Sequence, residues 1–124
     1  MLFCNCRRSS NKVDPVLDTK HIVDWEAALI NCQGDSDLLN QLFEYMKTGL
    51  SENSSEILKE YGSKNYKRVS EIAHKIKGDS ASLACGLLNV QSAKLQKEPE
   101  LQINISTLMK SVDQTLEVIN NKQS

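Results

Sequence analysis

The chain has 124 residues, 40% of them hydrophobic and 25% charged, with a formal net charge of -1. That is one domain's length, enough to bury about two thirds of the unfolded surface. Near-neutral charge, with Lys and Arg scattered along the chain, argues against a general nucleic-acid binder. No apolar run approaches the roughly 18 residues of a membrane span, so a cytoplasmic protein is expected.

Residues 1 to about 20 lack periodicity and carry Pro15 in a polar setting, which predicts a mobile arm before a single domain over 21–124. The opening Met-Leu-Phe-Cys-Asn-Cys-Arg-Arg has no secretory apolar stretch. Cys4, Cys6, Cys32 and Cys85 show neither zinc spacing nor a disulfide framework and read as free thiols. Cys4 and Cys6 beside Arg7 and Arg8 would also suit acylation in a eukaryotic host.

Asp24 can cap a short helix, roughly 24–33, in which Trp25, Ala28, Leu29 and Cys32 recur at helical spacing before Gly34 stops it. From Asp35 or Ser36, a stripe of Leu38, Leu39, Leu42, Phe43, Met46 and Leu50 resumes in phase at Ile57, Leu58 and Tyr61. This predicts one long helix that Gly49 and the polar run Ser51 to Ser55 could bend or break. Residues 62–65 are a turn signal, and a helix over about 65–83 follows. A boundary at Ala84-Cys85-Gly86 leads into a helix that Pro99 ends, and Leu101 to Ile119 mark the last one. No period-2 alternation is sustained anywhere. The expected fold is all-α: an antiparallel up-down four-helix bundle with a short additional N-terminal helix laid across one end.

The chemistry concentrates at His74. At about 100° per residue, Val69, Ile72, Ile76 and Leu83 share an apolar stripe and His74 points away from it. Its neighbours on that outer face, Ser70, Gly78 and Ala81, are too small to cover an imidazole and leave a docking face with clearance. His21 is expected to lie in the arm, and no phosphate loop, metal-ligand set or Ser-His-Asp pattern is present. Phosphoryl carriage is chemistry small enough to rest on one exposed imidazole, since a ring nitrogen can attack an electrophilic phosphorus. Lys77, at i+3, can oppose the charge of a transferring phosphoryl group, Gly78 clears space for it, and Gln96 on the next, antiparallel helix is a candidate to hold the second ring nitrogen.

The run Ala73-His74-Lys75-Ile76-Lys77-Gly78-Asp79-Ser80 with Leu83 resembles the signature of histidine-containing phosphotransfer (HPt) domains, carriers of two-component phosphorelays. Gly34 to Leu39 followed by an amphipathic helix is similar to the entry of such domains, and the likeness covers about 22–120. It implies that His74 is the phosphoacceptor, Lys77 its electrostatic aid, Gly78 the clearance residue and Gln96 the orienting partner. It also implies two partners, the receiver domain of a sensor hybrid kinase and that of a response regulator. Mg²⁺ would come from the receiver, with no cofactor or ATP site in this chain, and a monomer would suffice.

Two positions depart from the family pattern. Asp79 stands where Ser is frequent; its angle turns it toward the apolar stripe, where it is expected to bond a neighbouring backbone group or lysine. Ala84 stands where Gly is frequent, a mild change judged by size. The competing reading is a helical adaptor that docks on receiver domains or other signalling proteins without passing phosphate. A small enzyme with a histidine base would instead need a deep pocket at His74.

Overall fold

A computed structural model of the chain describes residues 20–123. The predicted arm, with Cys4 and Cys6, lies outside the described residues except for Lys20. Within them the protein is all-α, with five helices and no strand: α1 Trp25–Asn31, α2 Ser36–Gly62, α3 Tyr66–Ser82, α4 Gly86–Lys97 and α5 Gln102–Gln123. None is long and apolar enough to cross a membrane.

Side-chain caps start the first three helices. Asp24 accepts from Ala27 N at 3.1 Å, Asp35 from Leu38 N at 3.0 Å and Asn65 from Arg68 N at 3.4 Å, each satisfying a first-turn N–H that has no helical partner. The first helix is shorter than its periodicity predicts, because Gln33 and Gly34 take positive φ and turn the chain. By contrast, α2 runs unbroken through Gly49 and the serines. Met46, Leu50, Asn53 and Ile57 bury one continuous face there, and tertiary packing outweighs local propensity.

At the turn between α3 and α4, Ala84 adopts φ 56° in the left-handed region. The departure from Gly at this position is therefore a matter of backbone, not of side-chain size: a Cβ in that conformation costs roughly 1–2 kcal/mol. Cys85, the N-cap of α4, makes no side-chain cap bond, and the main-chain carbonyl of His21 takes over by accepting from Leu87 N at 2.9 Å. Asp24 N also donates to Ala84 O at 3.0 Å. Gly86 permits this crossing, since a Cβ there would stand 3.0 Å from His21 O. His21 thus belongs to a docked strap that lays α1 over the α3–α4 turn.

The core joins all five helices, with Phe43, Ile57, Val69, Ile76, Leu88, Leu95, Leu108 and Ile119 fully buried. Trp25 of α1 packs on Phe43 with ring centroids 4.8 Å apart, and Lys122 of α5 lies 5.8 Å from the Trp25 ring. Each of α2 to α5 packs on its chain neighbour, and α2 also meets α5. Arg68 of α3 donates from Nε and Nη2 to Glu56 Oε2 of α2, at 3.1 and 2.8 Å.

Candidate functional site

His74 lies on the outer face of α3 and is exposed, while Ile72, Ala73 and Ile76 beside it are buried. Three buried apolar residues at helical spacing leave the imidazole no route inward. Lys77, Gly78 and Ala81 share the exposure, and Ser70 is half-buried. Among the described residues Lys77 joins no ion pair, so its ammonium is available to an incoming anion.

Gly78 sits well inside α3, where Gly costs about 1 kcal/mol relative to Ala. A Cβ built on it would meet nothing within 4 Å among the described residues, so no contact among them requires glycine there.

The frame around His74 is held by hydrogen bonds between α3 and α4. Ser70 Oγ donates to the Gln96 carbonyl at 2.8 Å, which sets the end of α4 beside the turn preceding His74. On the other side, Asn89 Nδ2 donates to the Lys77 carbonyl at 2.9 Å and to Ser80 Oγ at 3.3 Å, and Ser80 Oγ donates to the same carbonyl at 2.9 Å. Asn31 of α1 donates to Ser82 O at 3.0 Å. The Lys77–Gly78 turn is thereby clamped, although glycine alone would loosen it.

Gln96 is half-buried and its main chain is tied to Ser70, but among the described residues no hydrogen bond joins its amide to His74. Cβ atoms tilt toward the N-terminus of their helix. Because α3 and α4 run oppositely, these tilts point in opposite senses along the two helices. Asp79 does not make the bond expected of it: it is exposed, and its carboxylate has no partner among the described residues. It lines a groove between α2 and α3 with Lys75, Asn53 and Gly49.

Sequence reasoning missed Asn89 and Asn53. The available signal was a polar residue in phase with apolar ones: Asn53 falls between Leu50 and Ile57 on the buried face, and Asn89 follows buried Leu88. Beside the groove, Leu38, Leu42 and Tyr45 form an exposed apolar stripe on α2, with Tyr45 74% exposed. No group of His, Cys, Asp and Glu among the described residues could hold a metal ion.

The chain was compared with protein-family models and with curated proteins, and nothing in either set matches it.

Proposed function

We propose that this protein is a phosphorelay carrier of the histidine-phosphotransfer type, built as an antiparallel four-helix bundle capped by α1, with His74 as phosphoacceptor. The observation that carries the reading is the glycine-cleared, unpartnered face of α3: an exposed His74 with Lys77 and Gly78 beside it and no internal reason for the glycine.

In this reading a receiver domain docks over α3 and the exposed stripe Leu38, Leu42 and Tyr45 of α2. An imidazole nitrogen of His74 attacks the phosphorus of the receiver's phosphoaspartate in line. The P–N bond forms as the P–O bond breaks, and the aspartate leaves as carboxylate. Lys77 opposes the charge on the equatorial oxygens, while Gly78 and Ala81 leave them room. Gln96 closes on the non-reacting nitrogen and fixes the tautomer, a bond that can tighten only in the docked complex. In this reading Mg²⁺ belongs to the receiver, and the chain needs no ATP site of its own. A response-regulator receiver then takes the phosphoryl group by the reverse chemistry.

Incubation with a phosphorylated receiver domain tests this directly. Acid-labile, alkali-stable label is expected on the chain and absent from His74→Gln. A label retained in that variant overturns the carrier assignment, and stable binding with no label on the unsubstituted chain establishes the adaptor reading instead.

A further inference from the structure

We propose that the groove between α2 and α3 is a pocket for an arginine side chain presented by the docked partner. The identity of that partner rests on the carrier reading above; the pocket rests on four features of the groove itself.

The first is Asn53. It is only 7% exposed, lines the groove, and its amide has no hydrogen-bond partner among the described residues. The amide is not sealed from solvent: it opens on the groove, where its donors and acceptor are free for an outside ligand. The second is Gly49, one turn earlier on α2 and lining the same groove, where an added Cβ would meet nothing within 4 Å. An interior helical glycine with open space beside it keeps the groove from being filled by its own wall. The third is shape: a volume of about 310 Å³ is larger than one side chain needs, with Met46 and Leu83 buried in its lining and Leu42 and Tyr45 more exposed.

Charge is the fourth feature and selects the occupant. The carboxylates of Glu52 and Asp79 face one ammonium, Lys75, so the lining is net negative. With the Asn53 carbonyl oxygen they offer several acceptors around one space. A guanidinium carries five N–H donors in a planar fork and can serve more than one of them, which a single ammonium does less well. Its alkyl stem suits the apolar lining of Leu42, Met46 and Leu83, and Tyr45 offers an aromatic face near the opening. Asp79 thereby acquires a role that its absence of internal partners leaves open: it reads the partner beside the transfer site.

The test is a titration of the full chain with n-butylguanidinium, followed by amide chemical shifts. Saturable shifts are expected at Gly49 and Asn53, with neutral n-butanamide binding at least about fivefold more weakly. Gly49→Leu, which fills the groove with a good helix former, is expected to abolish them, and Asp79→Asn to weaken binding about threefold or more. Non-saturating shifts, equal binding of the neutral amide, or binding unchanged in both variants overturns the pocket. In phosphotransfer, Gly49→Leu is expected to raise the half-saturating receiver concentration with the saturating rate unchanged. An unaltered half-saturating concentration overturns the partner side chain as occupant. If the unsubstituted chain accepts no phosphoryl group, the carrier reading fails while the probe titration still decides the pocket.

Discussion

Gly78 and Cys85 make opposite use of the same helical frame, one open to solvent and one sealed from it. At Gly78 the fold would gain from a side chain that the proposed phosphotransfer would exclude. Gly78→Ala is expected to stabilise the protein by about 1 kcal/mol, since the new methyl meets no atom of the described residues. Gly78→Leu is expected to fold equally well and to slow transfer about tenfold, equivalent to about 1.4 kcal/mol of lost transition-state binding. Denaturant melts and single-turnover transfer separate the two effects. Cys85 is wholly buried, and desolvation pushes its thiol up to about 12 from an ordinary 9.0. Above about pH 9 the unfolded chain loses a proton that the folded chain keeps, so this contribution to stability is full below that pH and declines as pH rises toward about 12. A disulfide reagent at about pH 8 is expected to spare Cys85 in the folded protein and to modify it only on unfolding, as peptide mapping would read. Rapid modification of the native thiol would contradict its burial.

Among the helices, α3 carries the proposed phosphoacceptor and its neighbours hold it in place. Ser70 to Gln96 at one end and Asn89 to Lys77 at the other hold α3 against α4 on both sides of His74. The turn that joins these two helices is the weak point, because Ala84 occupies a left-handed conformation at φ 56°. Ala84→Gly is expected to relieve it, with a net gain of about 1 kcal/mol after the added freedom of the unfolded chain, or about 4 °C in Tm. A thermal melt checks this, and a fall in Tm would mean that the Ala84 methyl contributes more by packing than its backbone costs. The helices themselves were legible in the chain because apolar residues recur at 3.6-residue spacing. The continuity of α2 through Gly49 was not, since it depends on what Leu50, Asn53 and Ile57 meet across the core.

Charge is sorted across the whole molecule in a way the net value of -1 conceals. Helix α2 carries five acidic against two basic side chains, α3 four basic against two acidic counting Arg68 but not His74, and α4 two lysines and no acid. The helix that carries His74 is therefore basic beside an acidic α2, an arrangement expected to steer an acidic partner site toward α3 and a cationic side chain toward α2. At physiological ionic strength such fields decay over about 8 Å. Association with a phosphorylated receiver is accordingly expected to slow as salt rises, with the transfer rate at saturation little changed. Stopped-flow kinetics over a salt series checks it, and a salt-independent association rate would remove electrostatic steering from the account.

What the sequence by itself determined was local: the positions of the helices, the outward direction of His74, and the small residues around it, all consequences of one angular period. The tertiary structure alone decided the rest. It joined the strap at His21 to the start of α4 and set Asn89 against the Lys77 carbonyl. It also brought Asn53 and Asp79 to the lining of one groove. The physical reason is range. Periodicity and capping act within a few residues, whereas these contacts join positions from 12 to 66 residues apart, brought together only once apolar faces are buried against one another.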